Sequence, residues 1–150
     1  MKRILIATDG SPPAQQAVEL GVDLARHEEA AIAVVYVVPP ADIVAMNGFG
    51  LTGTVPYELT ADDEAVLDDA VGVADREGVA AISKILRGDP VTEIVRYADL
   101  LGADLIVVGS RGHGAIAAAL LGSVSRGVLA RAKRPVLVVR ASRVAERAAA

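Results

Sequence analysis

Five short runs of β-branched and aliphatic residues punctuate the chain: Ile4–Thr8, Ile32–Val38, Val79–Leu86, Asp104–Val108 and Val136–Val139. Four are apolar almost without interruption, the pattern of strands buried on both faces of a parallel sheet. The run Val79–Leu86 admits Ser83 and Lys84, which suits an edge strand. Between the runs the apolar spacing becomes helical. Ser11 stands as a cap before Pro12, and Ala14, Ala17, Val18, Gly21 and Ala25 then share one face. Leu59–Glu77 is an acidic amphipathic stretch whose inner stripe reads as Ala65, Val66, Ala70 and Val73. Asp89-Pro90 repeats the cap-then-proline signal ahead of Val91, Ile94, Val95 and Ala98, with Gly102 as the stop. A shorter helix is expected over Ser123–Ala132, with Val124, Val128 and Leu129 inward and Arg131, Lys133 and Arg134 at its carboxyl end.

This alternation of strand and helix predicts a doubly wound α/β fold, a five-stranded parallel sheet with helices on both faces. Ligands of such sheets sit at the carboxyl ends of the strands, where the strand order reverses. Residues 39–57 interrupt the rhythm with prolines and glycines and read as a mobile loop. No internal repeat is visible. One domain is expected over 1–141, followed by a frayed tail, 142–150.

Composition narrows the function. The chain has 150 residues, 53 % of them hydrophobic and 23 % charged, with no cysteine. Disulfide scaffolds, thiolate metal sites and cysteine nucleophiles are thereby excluded. Four aromatic residues (Tyr36, Phe49, Tyr57, Tyr97) are too few for a base-stacking surface, and a net charge of −4 does not attract nucleic acid. Charge is uneven, however. Residues 1–110 carry 7 basic and 18 acidic side chains, whereas residues 111–150 carry 8 and 1. A positive terminal segment on an acidic body suggests a local anion site or an interface. The apolar run after Lys2 and Arg3 ends at Thr8 and Asp9, so it is no targeting signal, and Ala30–Val38 is far short of a membrane span. The chain reads as cytoplasmic, without membrane or nucleic-acid partners.

Two glycine patterns compete for a phosphate. Gly48-Phe-Gly50-Leu-Thr-Gly53 satisfies the dinucleotide spacing but neither leaves a strand nor opens a helix, so it is set aside. Gly109-Ser110-Arg111-Gly112-His113-Gly114 leaves a strand, and Gly122-Ser123-Val124-Ser125 opens a helix. Glycine there allows positive φ and close approach of the backbone to a ligand, while the helix start adds free N–H groups and two hydroxyls. This is a phosphate site built mainly from backbone. No Walker lysine accompanies it, and no His/Asp/Glu cluster has metal-ligand spacing.

The spacing Gly109-x2-Gly112-x9-Gly122-Ser123 resembles the nucleotide loop of ATP-binding universal stress proteins. Lys2–Ser11 is similar to their first strand and turn, and Asp104–Gly109 and Arg134–Val139 to their last two strands. The resemblance spans residues 2–140. It implies a sheet order 3-2-1-4-5, a homodimer, and ATP bound without efficient turnover. It further implies that Asp9 faces the ribose and phosphates, that Ala7 and Thr8 lie beside the adenine, and that Val37 offers it main-chain bonds. Gly109, Gly112, Gly122, Ser123 and Ser125 would hold the phosphates, with Ser110, Arg111, His113, Gly114 and Val124 alongside. Mg²⁺, where present, would be held chiefly by the phosphates. The expected function is a nucleotide-dependent switch or sensor in stress survival. Two alternatives stay open: a slow ATPase or phosphoryl carrier using Ser123 or Ser125, and a dimeric interaction module with a vestigial site. Val136–Val139, apolar at an expected sheet edge, is the candidate dimer strand. No client protein is indicated.

Overall fold

A computed structural model of the chain describes residues 1–38, 40, 42–46, 52–111 and 121–141, with backbone alone for 42–46 and 52–56. Five strands, β1 (Arg3–Ala7), β2 (Ala31–Val38), β5 (Ala81–Arg87), β6 (Leu105–Gly109) and β7 (Val136–Val139), form one parallel sheet in the order β5-β2-β1-β6-β7. Among these five this is the order 3-2-1-4-5. The run carrying Ser83 and Lys84 lies at the sheet edge, as its polarity predicts.

The helices divide between the two faces. α1 (Pro12–Glu28) and α2 (Ala61–Arg76) cover one core, built on Ile4, Ile6, Ile32, Val34 and Val107. α3 (Pro90–Leu101) and α4 (Ser123–Arg131) cover the other, built on Leu5, Val35, Ile106, Val108 and Ile94. Alternate residues of β1 therefore enter opposite cores, and Ile4, Leu5 and Ile6 are all fully buried. Each such side chain contributes about 1.5–3 kcal/mol of burial free energy, which is why Ile4–Ala7 of β1 is apolar throughout.

Three expectations change. The segment read as a loop contains an antiparallel hairpin, β3 (Asp42–Met46) paired with β4 (Thr52–Pro56). Two β-prone runs around Asn47-Gly48 are a hairpin signal that the surrounding prolines and glycines mask. Of the decoy glycines, Gly53 lies in β4, while Gly48 and Gly50 fall outside the described residues. The inner stripe of α2 is rotated by one position: Leu67, Ala70 and Ala74 are buried, whereas Ala65 is exposed. On α4, Val128 is buried but Leu129 is 44 % exposed. Residues 142–150, expected to fray, lie outside the described residues.

Close helix–sheet contact rests on small residues. A Cβ at Gly21 in α1 would stand 2.5 Å from Ile6 Cδ1, inside a core with no slack. Gly72 in α2 meets only the end of Arg76, at 3.5 Å. Gly21→Val is therefore expected to lower stability by about 1–3 kcal/mol through overpacking, which outweighs the few tenths gained in helix propensity. Gly72→Ala should instead raise it by up to about 1 kcal/mol. Urea unfolding of both variants checks the opposite signs.

Candidate functional site

The carboxyl ends of β1, β2 and β6 open onto a cavity of about 240 Å³. Ala7, Thr8 and Asp9 form one wall as the chain leaves β1. Val35, Tyr36 and Val37 form a second at the end of β2, and Val108, Gly109 and Arg111 a third beyond β6. The first turn of α4, Gly122–Ser125, closes the site. The structure thus brings together ten of the residues named from sequence. Ser110 is not among the lining residues; it is buried directly behind them. Gly112, His113 and Gly114 lie outside the described residues. Pro90, Ile94 and Tyr36 also line the cavity. Ile94 and Tyr36 were legible only as inward positions of a helix and a strand.

The turn from β1 into α1 is built around Asp9. Its Oδ1 accepts the N–H of Ser11 at 3.0 Å and also the Ser11 hydroxyl. Ser11 occupies the N-cap position, yet its side chain serves Asp9 rather than the helix. Gly10 between them has φ +78°, and a Cβ there would meet Val66 at 3.1 Å, so the tight turn needs glycine. Gly109 has a different reason. Its φ is not in the left-handed region, but a Cβ would stand 2.8 Å from the backbone of Pro13 and Ala14. The residue lets the end of β6 pass against the start of α1, so a valine there would disrupt packing before it met a ligand.

α4 presents the donors. α2 and α3 are capped by the side chains of Thr60 and Asp89, but no side chain caps α4. The N–H groups of Ser123, Val124 and Ser125 have no intrahelical partner and sit at the cavity. Ser123 is exposed; Ser125 is buried, and its hydroxyl donates to the carbonyls of Ser110 (3.0 Å) and Gly122 (3.1 Å). That hydroxyl was expected on a phosphate. Its helical position three residues after Gly122 accounts for the bond to that carbonyl; the bond to Ser110 is a tertiary one. Asp9 and Arg111 supply the charged side chains of the described lining. Among the described residues no group of three His, Asp or Glu could hold a metal.

Behind the β2 wall lies a buried carboxylate. Asp63, at the third position of α2, accepts the N–H of Thr60 at 2.9 Å and the hydroxyls of Tyr57 (2.8 Å) and Thr60 (3.0 Å), while Thr60 Oγ1 accepts the Asp63 N–H. Led by the bond from the Thr60 backbone, these donors hold the carboxyl below its ordinary pKa. Tyr36 is pushed up to about 12, first by burial and then by the neighbouring Asp63 carboxylate. The spacing Thr60-x-x-Asp63, a capping-box signature, is the sequence signal that distinguishes Asp63 among three successive acidic residues.

The universal stress protein family model matches residues 1–140. The chain is 33 % identical to the universal stress protein MJ0531 of Methanocaldococcus jannaschii, covering 93 % of this chain and 82 % of that protein. It is 31 % identical to the universal stress protein YxiE of Bacillus subtilis, covering 92 % and 98 %. Among solved structures, a universal stress protein in complex with cAMP superposes with a TM-score of 0.71 at 30 % identity, over 94 % of this chain and 98 % of that one.

The tyrosine beside the cavity has a measurable consequence. A phenol whose folded pKa exceeds its unfolded value stabilises the fold fully below the unfolded value. That contribution is lost as pH rises from 10 towards about 12. Absorbance at 295 nm is expected to show a late tyrosinate step near pH 12 in the folded protein. Tyr36→Phe should remove the step and flatten the alkaline loss of stability over that interval.

Proposed function

This chain belongs to the universal stress protein family, and on that premise we propose that its cavity binds an adenine nucleotide, with occupancy rather than turnover as the output. The observation that carries the reading is the start of α4, a helix N-terminus without a side-chain cap at the wall of the cavity. Free N–H groups and the positive end of the helix dipole are suited to a phosphate. The solved relative bound to cAMP supports adenine as the base. ATP is the form that the family resemblance implies. In this reading Ala7, Thr8 and the end of β2 at Val37 take the base, and Asp9 takes the ribose. Arg111, Gly122, Ser123 and Val124 take the phosphates, with Gly112, His113 and Gly114 completing the loop. Mg²⁺ would arrive with the phosphates, neutralising their charge.

Rapid phosphoryl transfer combines metal ligands, a group that positions the nucleophile and a cationic stabiliser. The described lining offers one carboxylate, Asp9, and one cation, Arg111, which favours retention over chemistry. The protein thereby acts as a cytoplasmic nucleotide sensor in the stress response, reporting occupancy to a partner.

Two measurements test this. Purified protein, denatured and chromatographed, is expected to release an adenine nucleotide, and calorimetry should return saturable ATP binding. Val37→Trp, which fills the base end of the cavity, should weaken ATP at least roughly twentyfold, the loss of about 2 kcal/mol, while the circular dichroism spectrum is kept. Phosphate release should stay well below the roughly 1–100 s⁻¹ of kinases. Unchanged affinity in Val37→Trp, or no binding by the wild type, would sink the site.

The same reading includes a homodimer along β7. Among the described residues that strand pairs with β6 alone, and Val136, Leu137 and Val138 are half-buried. An apolar edge with open backbone groups favours pairing with a second copy. Leu137→Lys is expected to shift sedimentation from dimer to monomer at tens of micromolar. A wild-type monomer at that concentration would refute it.

A further inference from the structure

Ser110 lies where three elements meet. Its N–H donates to Val139 O at 2.7 Å, tying the end of β6 to the end of the edge strand β7. Its carbonyl accepts the N–H of Gly122 at 2.7 Å and the hydroxyl of Ser125 at 3.0 Å, tying β6 to the start of α4. Ser110 and Ser125 are each only 2 % exposed. Residues 110 and 122 are thus bonded directly, whatever path the chain takes between them.

We propose that Ser125 is a positioning residue rather than a phosphate ligand: by locking the Ser110 peptide it aims the N–H groups of α4 at the cavity and links occupancy of the cavity to the end of β7. The proposal rests on the nucleotide reading above and deepens it, by naming the joint through which a bound phosphate would be felt elsewhere.

The physical case has three steps. A hydroxyl has a single proton, and here the two carbonyls of Ser110 and Gly122 compete for it at 3.0 and 3.1 Å. No proton remains to donate to a phosphate without breaking a buried bond. The carbonyl of Ser110, in turn, is satisfied by donors that both belong to the α4 start, so removing one loosens that start without orphaning the carbonyl. Finally, the Ser110 N–H and carbonyl belong to the two peptide units that meet at its Cα, and both are bonded within a buried residue, so the two units have little freedom to turn independently. A rotation that improves the fit of α4 to an anion turns the N–H of Ser110 against Val139 as well.

Amide hydrogen exchange by NMR, with and without ATP, on the wild type and Ser125→Ala tests this. Ligand-free Ser125→Ala should exchange the Gly122 and Ser110 amides at least about fivefold faster, with the Val34 amide in the central core unchanged. ATP affinity should fall about three- to tenfold, the worth of one net hydrogen bond, whereas adenosine, which has no phosphate, should keep its affinity within about twofold. In the wild type ATP should slow exchange at Ser110, and in Ser125→Ala that slowing should vanish. Ser125→Thr, which retains the hydroxyl, should restore the wild-type pattern. Lost ATP affinity with unchanged ligand-free protection would make Ser125 a direct ligand and overturn the proposal. So would ATP binding to the wild type that leaves Ser110 exchange untouched. Failure of the wild type to bind ATP would instead remove the nucleotide reading, and this proposal with it.

Discussion

Everything at the site depends on β1 pairing in parallel with two neighbours at once. On one side Ala7 lies opposite Val35 of β2; on the other it lies opposite Val108 of β6. A parallel neighbour requires a crossover, and crossovers are right-handed. The chain therefore moves outward from β1 through α1 and α2 on one face, then returns across the sheet through α3 to the other. The two directions diverge between the ends of β1 and β6. A crevice opens there, where successive connections lead away to opposite faces of the sheet. The cavity between Thr8, Asp9, Gly109 and Arg111 is thus a consequence of strand order before it is a consequence of any side chain.

The depth of that crevice is set by small residues. Gly21 lets α1 settle onto Ile6, Gly127 lets α4 settle onto Val91, and Gly109 lets the end of β6 touch the backbone of Pro13 and Ala14. Close packing places helix termini, rather than long side chains, at the strand ends. Polar groups behind the wall then fix the backbone that faces inward. Asp63, beside Tyr36 of β2, gathers Tyr57 and Thr60, and Ser125 holds the end of β6 through Ser110. The two anchors work alike: a buried polar side chain fully engaged with neighbours, set one layer behind the surface it positions.

How much of this was legible divides along a physical line. Continuous apolar runs and helical spacing located the five sheet strands and four helices, since burial leaves a periodic record in composition. Helix termini were legible too where proline and a short polar residue coincide, as at Asp89-Pro90. Partners were not. Serine is equally at home at a cap, on a phosphate or on a carbonyl, so composition placed Ser11 and Ser125 in the right region without naming the Asp9, Ser110 and Gly122 partners that the structure gives them. Asp63 was hidden among Asp62 and Glu64, although only it closes a capping box with Thr60. The hairpin Asp42–Pro56 was missed because its glycines and prolines outweighed its two short β-prone runs. Gly109 was credited with backbone freedom when its contribution is the missing Cβ.

Charge gives the last step. The body of the protein is acidic, and α2 begins Asp62, Asp63, Glu64; the net charge is −4. Such a surface would repel a phosphate that relied on long-range attraction. A helix terminus works differently, because its N–H dipoles act within the first turn and fall off quickly beyond it. An acidic protein can therefore hold an anion where backbone donors converge, and discriminate by fit to fixed donors rather than by charge. That places a premium on the angle at which α4 meets the crevice. At Ser110 the carbonyl holds the start of α4 while the N–H ends the pairing of β6 with β7. On the reading proposed above, the fit of α4 to an anion and the geometry of the β7 strand would therefore meet at one residue.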